Sequence, residues 1–334
     1  MIKRIYFEIT QACNLKCRYC FVRKDLSSEI LKLEKVIDIL EQAKEYQPII
    51  TFSGSEPFMY PDLKEVVLYS KGLGLFTEIY TNGTLIDKKN AEFLVINQIN
   101  NVRISLDGPL KINDYLRGKG SYLKTIKAIK LINFYKKKYS SDLPYVSLSP
   151  VISKKNLNSL DFLIKLAKDL KINRVHFLSL IWLNKKLAVF HVKELKRRLN
   201  IKDSYAYRLI NELEDLDFDQ YRKKIKEIKL MAKEYGVLVD FWQSIDRDNF
   251  VDYWYSPKIN QGNIRRCGYI YDTVRIDQKG TIISCPLIRY PYGSLKKESL
   301  KKIWLGPRAR FFRKEITKNG LFPICYKCHR VLVE

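Results

Sequence analysis

The stretch CNLKCRYC places Cys13, Cys17 and Cys20 within eight residues of one another. Thiolates are soft anionic ligands, and three on one loop can hold three irons of a cubane cluster while the fourth iron keeps no side-chain partner. An open iron is a place to bind and activate a co-substrate. Structural zinc takes four protein ligands, and the histidines, His176, His191 and His329, are all far away in sequence. A zinc site would need a fourth ligand from elsewhere, and spacing alone leaves both readings open. A second set, Cys267, Cys285 and the CYKC pair Cys325 and Cys328, is a pair-plus-pair arrangement that closes a four-thiolate site. It reads equally as a zinc ribbon or as a fully ligated iron–sulfur cluster. These two sets use all seven cysteines, so none is left over outside them.

The elements that must position these residues alternate along the chain. Apolar, β-rich runs at 5–10, 49–54, 76–83, 102–108, 145–152 and 174–181 are separated by segments of helical spacing. In LEKVIDILEQAKEY, for example, Leu33, Val36, Ile37, Leu40 and Ala43 fall on one face. Six strand–helix repeats imply an α/β fold with a parallel sheet covered on both faces and a site at the carboxyl ends of the strands. Cys13 to Cys20 follows the first strand, at such an end. Residues 186 to about 235 read as charge-rich helices, 237–242 as a strand, and TVRIDQKGTIISC as a hairpin turning at Gln278, Lys279 and Gly280. The boundary is placed in the irregular aromatic connection around 243–265. The stripe 240–257 is read as core between domains, with a cavity lining as the rival.

The 334 residues carry a net charge of +25. The basic excess is 12 in residues 1–185, 2 in 186–262 and 11 in 263–334. The lysines are scattered on helices and lack interleaved aromatics that would stack bases, so a solvated, Lys-rich composition is preferred over a nucleic-acid partner. No secretory signal or membrane-length apolar run is present, which points to the reducing cytoplasm, where clustered cysteines are metal ligands more often than disulfides.

CNLKCRYC resembles the three-cysteine signature of the radical S-adenosylmethionine (SAM) superfamily, with Tyr19 as the aromatic before the last cysteine. FSGSEP (52–57) resembles that family's Gly-Gly-Glu-Pro motif, with Ser55 where the second glycine is usual; TNGT (81–84), SLDG (105–108) and NDYLRGKGSY (113–122) fall at later strand ends. The resemblance spans about the first 180 residues. It implies a partial (β/α)6 TIM-like barrel in which Cys13, Cys17 and Cys20 ligate a 4Fe-4S cluster whose open iron binds SAM. It further implies SAM contacts from Tyr19, Gly54, Ser55, Glu56, Asn82, Ser105, Arg117 and Val151. Glu56 is expected to accept from the ammonium and Arg117 to donate to the carboxylate, with Ser105 and Asn82 on carboxylate or ribose. For Asn82 a plain Asn-Gly turn is the rival. Asp107 reads as a turn former and His176 as a satisfied core histidine.

The C-terminal cysteines resemble the twitch domain, the shortened form of the SPASM extension, a β hairpin plus helix. The resemblance implies one auxiliary 4Fe-4S cluster on Cys267, Cys285, Cys325 and Cys328, with His329 beside it or on the surface. The implied organisation is 1–185 barrel, 186–262 helical segment and connection, and 263–334 auxiliary-cluster domain. A closed auxiliary cluster suits electron transfer, and the basic tail would raise its potential. The expected function is oxidation of a substrate radical, foremost in maturing a ribosomal peptide, otherwise in dehydrogenating a sugar or aminocyclitol-type molecule. A zinc-stabilised nucleic-acid-binding protein is the non-enzymatic alternative. A thiol-dependent epimerisation is disfavoured. A flavodoxin or ferredoxin would supply electrons, and because the first strand begins at once, a fused leader-binding domain is not expected, which weakens the peptide reading unless a separate protein recognises the leader.

Overall fold

The computed structural model describes residues 1–22, 29–181, 183–201, 205–210, 217–241, 264–328 and 331–333. Its main sheet has the order β12-β11-β10-β1-β2-β3-β4-β5-β7-β6, with β8 also paired to β7. The strands are β1 (Arg4–Thr10), β2 (Ile49–Gly54), β3 (Thr77–Thr81), β4 (Asn101–Ile104), β5 (Tyr145–Leu148), β6 (Val151–Ile152), β7 (Arg174–Ser179), β8 (Leu238–Phe241), β9 (Ile264–Cys267), β10 (Thr273–Ile276), β11 (Thr281–Ile283), β12 (Pro291–Ser294) and β13 (Val331–Val333). Pairing is parallel from β1 through β8. All six strands expected in the first 185 residues form, the fifth split into β5 and β6 around Pro150. The C-terminal hairpin extends the same sheet: β10 lies parallel to β1, with Arg4 opposite Thr273 and Phe7 opposite Ile276. β11 and β12 then add in antiparallel order, and β9 pairs with β13 separately.

Alternation along β1 explains why it sits inside. Ile5, Phe7 and Ile9 are fully buried on one face, where Phe7 stacks on Phe52 at 5.6 Å between ring centres. Each such side chain contributes about 1.5–3 kcal/mol on burial. Arg4, Tyr6 and Glu8 occupy the other face. The helices cover the apolar face: α1 (Leu33–Ala43) buries Val36, Ile39, Leu40 and Ala43. The expected stripe is therefore rotated slightly, with Ile39 fully buried and Ile37 half-buried. α2 (Leu63–Gly72), α3 (Lys88–Ile96), α4 (Leu110–Arg117), α5 (Ser121–Lys138) and α6 (Asp161–Asp169) follow, and the charged middle segment forms α7 (Lys185–Leu199), α8 (Tyr205–Arg208) and α9 (Phe218–Tyr235). The hairpin turn forms as expected: Asp277 Oδ1 accepts the N–H groups of Lys279 and Thr281, and Gly280 takes φ +77°. Most of the stretches 240–257 and 243–265 lies outside the described residues.

Candidate active site

The loop after β1 is stitched to its neighbours by backbone. Ser55 N–H donates to Thr10 O at 3.3 Å and Glu56 N–H to Ala12 O at 3.0 Å, joining the loops after β1 and β2. Arg18 N–H donates to Leu116 O and Arg18 Nε to Tyr115 O, docking the loop on α4. Cys13 and Cys17, half-buried, and Cys20, exposed, line a cavity of about 1010 Å³. Burial pushes the thiols of Cys13 and Cys17 up, Cys17 to about 11, and the neighbouring cysteines add to the shift. A cationic metal core would offset that cost and hold them as thiolates, so the donor set fits an iron cluster.

Gly54 stands at φ +113°, and a Cβ there would lie 2.7 Å from Thr10 O. Glycine is thus required at this one position of the motif. Ser55 is not among the non-glycine residues with positive φ, so the departure from Gly-Gly costs no backbone strain. Glu56 is fully buried and is not a cavity residue. Its carboxylate accepts from Thr81 Oγ1 at 2.6 Å, Asn82 N at 2.8 Å and Phe58 N at 3.1 Å. Through these bonds the side chain ties the β2 loop to the end of β3. Burial raises its carboxyl to about 7 against those three donors.

Asn82 makes the turn that rivalled its ligand role: Oδ1 accepts Thr84 N–H at 2.8 Å. Its Nδ2 also donates to Asn14 Oδ1 at 2.9 Å, so it braces the cysteine loop while lining the cavity. Tyr19, Gly54, Ser55, Ser105, Arg117 and Val151 line the same cavity. Arg117, however, already holds a partner: Nε and Nη2 lie 2.8 and 2.9 Å from the carboxylate of Asp107. Its guanidinium is held against a fully buried carboxylate while it lines the cavity. Asp107 also accepts from Tyr19 OH at 2.5 Å and Val151 N at 2.9 Å. The residue read as a turn former is the hub joining the cysteine loop, α4 and β6. Burial, with Asp107 adding, pushes the Tyr19 hydroxyl well above its ordinary range.

The cavity continues onto a polar interior that the sequence reading passed over. Glu8 on β1 meets Arg275 Nη1 at 2.7 Å and Arg289 Nη1 and Nη2 at 3.2 Å. Burial would push the Glu8 carboxyl up, but the two guanidinium groups outweigh it and hold it below its usual range. Arg275 also donates from Nε to Tyr269 OH at 2.8 Å and lies over the Tyr6 ring. The available signal was the polar alternation Arg4, Tyr6, Glu8 within an otherwise apolar strand. His176 is a satisfied core residue: Nε2 is 3.0 Å from Arg103 Nη2 and Nδ1 is 2.7 Å from Asp240 Oδ2. Because arginine only donates, Nε2 accepts and Nδ1 carries the proton; burial lowers the ring to about 4.

Pro286 and Leu287, which follow Cys285, line the cavity as well. Cys267 ends β9, Cys285 accepts Ile288 N–H at 3.3 Å, and Cys325 is buried in the turn Pro323–Lys327. Burial pushes the Cys325 thiol well up, and Cys267, Cys285 and Cys328 each add to it, so the four sulfurs share one locality. Among the described residues, no three His, Cys, Asp or Glu side chains gather around a single-ion position. Four thiols in one locality are the donor type that a cubane cluster takes. His329 lies outside the described residues.

Residues 7–167 match the family model of the radical SAM superfamily, and residues 267–329 match an iron–sulfur cluster-binding (SPASM) domain. Fe-coproporphyrin III synthase of Methanosarcina barkeri is 31% identical over 182 residues, covering 53% of this chain and 44% of the relative. PqqA peptide cyclase of Gluconobacter oxydans is 28% identical, covering 50% and 46%. An S-adenosylmethionine-dependent nucleotide dehydratase of Flammeovirga pacifica is 27% identical over 303 residues, covering 84% and 95%. The chain thus spans half or less of the length of several curated relatives it matches. Streptococcus suis SuiB bound to S-adenosylmethionine shares the fold, with TM-score 0.69, 18% identity and coverage of 94% and 68%.

Proposed function

Because the chain belongs to the radical SAM superfamily, in its SPASM/twitch subgroup, and so uses SAM, a 4Fe-4S cluster and an auxiliary cluster, we propose that it oxidatively modifies a peptide. The carrying observation is one shared cavity lined both by Cys13, Cys17 and Cys20 and by the Pro286–Leu287 turn beside Cys285. Bound cofactors supply a hydrogen-abstracting 5'-deoxyadenosyl radical at the first site and an electron acceptor at the second. In this reading Cys13, Cys17 and Cys20 hold the first cluster, and Cys267, Cys285, Cys325 and Cys328 the second.

The rest of the chain binds and orients. Gly54 lets the β2 loop approach a ligand by backbone, while Tyr19, Ser55, Asn82, Ser105, Arg117 and Val151 wall the SAM side. Glu56 and Asp107 act from behind that wall by fixing the loops. The division at 1–185, 186–262 and 263–334 is retained as barrel, connection and auxiliary-cluster segment. A flavodoxin or ferredoxin donor, a separate leader-binding protein and a cytoplasmic setting complete the proposal; among the described residues no helix is long and apolar enough to cross a membrane.

The name of PqqA peptide cyclase supports a peptide substrate. A small-molecule substrate is the second reading, supported by the long match to the nucleotide dehydratase. The zinc-stabilised nucleic-acid-binding alternative gives way to the two family matches. Anaerobic reconstitution is expected to yield about eight irons per chain and reductant-dependent 5'-deoxyadenosine. Incubation with a precursor peptide encoded beside the gene should give a product about 2 Da lighter, the loss of two hydrogens expected for such an oxidation. Stoichiometric zinc without SAM cleavage would overturn the enzyme reading. Turnover of nucleotides but not peptides would favour the small-molecule reading.

A further inference from the structure

The C-terminal segment contributes to the cavity wall a set of groups that the SAM chemistry leaves unused. Arg275 and Arg289 both face Glu8, whose side chain is 13% exposed. Asp277 stands near Arg289, but its Oδ1 is taken by the turn N–H groups of Lys279 and Thr281. Two guanidinium groups thus converge on the Glu8 carboxylate in the cavity wall. Beside them Gln278 is 6% exposed, lines the cavity, and its Oε1 has no hydrogen-bond partner among the described residues. A buried carbonyl oxygen without a donor is costly, and proteins keep such groups where a ligand completes them.

Backbone geometry adds an independent sign. Arg289 holds φ +54°, a region few non-glycine residues occupy, and its N–H donates to Cys285 O at 3.0 Å. The turn that starts at Cys285 thus returns a cation to the cavity.

Resting on the radical SAM reading above, we propose that Arg275, Arg289 and Gln278 form a substrate-anchoring subsite for an anionic group with an N–H donor next to it. An acidic residue within a peptide has this chemistry: its carboxylate meets the guanidinium groups and its amide N–H meets Gln278 Oε1. Glu8 is the internal counter-ion that keeps the arginines placed before substrate arrives. A nucleotide, with phosphate and base amino groups, offers the same chemistry from another source.

Calorimetric titration of the anaerobic, cluster-loaded full chain tests this with three probes: N-acetyl-glutamate N-methylamide, its neutral glutamine counterpart, and ATP. The acidic probe is expected to bind roughly tenfold or more tightly than the neutral one, as a charge-assisted contact requires. R289Q should erase that preference and E8Q widen it, since the internal anion competes with the ligand for the same guanidinium groups. R289K, which keeps charge but loses the fork, serves where R289Q folds poorly and should retain part of the preference. Q278L should weaken binding of both amide probes while raising the melting temperature, a combination that a purely structural residue would not give. Equal binding of the acidic and neutral probes, or a preference that survives R289Q, overturns the subsite. Tighter binding of ATP than of the acidic probe overturns the peptide assignment and identifies a phosphate source. Substrate-free 5'-deoxyadenosine formation, measured in parallel, reports on the parent reading separately.

Discussion

Glu56 gives a prediction in which the sign distinguishes two physical forces. Its carboxylate is wholly buried and accepts three hydrogen bonds, from Thr81, Asn82 and Phe58. Burial opposes the charge, the donors favour it, and burial prevails, raising the carboxyl from 4.5 to about 7. The folded state then binds the proton more tightly than the unfolded chain. Stability from this group is fully present below pH 4.5 and is lost as pH rises to about 7. A shift of this size corresponds to about 3 kcal/mol, with about 2 kcal/mol of it falling between pH 5.5 and 8.5. Glu56→Gln has no such proton to lose. Its amide also offers one acceptor oxygen for donors that now meet two, leaving Asn82 N–H or Phe58 N–H facing an NH2 group. The wild-type stability advantage over E56Q should therefore shrink by about 2 kcal/mol from pH 5.5 to 8.5. Denaturant unfolding of both proteins across that range measures it, and infrared titration of the carboxyl band missing in E56Q locates the midpoint. A wild-type advantage that stays flat or grows with pH would refute the reasoning, showing that the three donors outweigh burial.

Three further outcomes follow from named contacts. Gly54→Ala should lose SAM binding and about 1–3 kcal/mol of stability, because the new Cβ meets Thr10 O at positive φ, whereas Ser55→Gly should change stability by less than about 1 kcal/mol; calorimetry and SAM titration check both. Asp107→Asn should cost about 3–5 kcal/mol, since it leaves the Arg117 guanidinium buried against a neutral partner, readable as a lowered unfolding midpoint. His191, fully buried with neither ring nitrogen hydrogen-bonded among the described residues, is lowered by burial to about 4. His191→Leu should therefore gain about 1 kcal/mol at pH 7, and the gain should grow as pH falls below 6.5, where the wild type must keep the ring uncharged to stay folded.

Local signals carried much of the fold. Strands β1 to β4 were visible as β-branched runs closed by turn residues, and the β10–β11 turn was visible in Gln278, Lys279 and Gly280, because these depend on neighbours in sequence. Long-range pairing was not visible. Nothing in TVRI announces that it lies parallel to RIYF some 269 positions earlier in the chain, since register is set by what the two faces bury. The site shows the same split. Cysteine spacing was legible because it is local, whereas the glycine requirement at Gly54 was not, since the atom that excludes a Cβ there is Thr10 O at the end of β1. Asp107 was not: its partners come from positions 19, 117 and 151, and a short LDG segment reads as a turn whether or not its carboxylate is a hub. The contacts of Glu56 were illegible for a related reason, since the donors at Thr81 and Asn82 reach it only once β3 lies beside β2.

The central claim is that the iron site on Cys13, Cys17 and Cys20 keeps one position for SAM. Electron paramagnetic resonance of the dithionite-reduced enzyme, in a Cys267→Ala/Cys285→Ala background that removes the auxiliary signal, tests it directly. Addition of SAM should shift the cluster g-values, and Cys17→Ala should abolish both the signal and its shift. A cluster spectrum indifferent to saturating SAM would contradict the account.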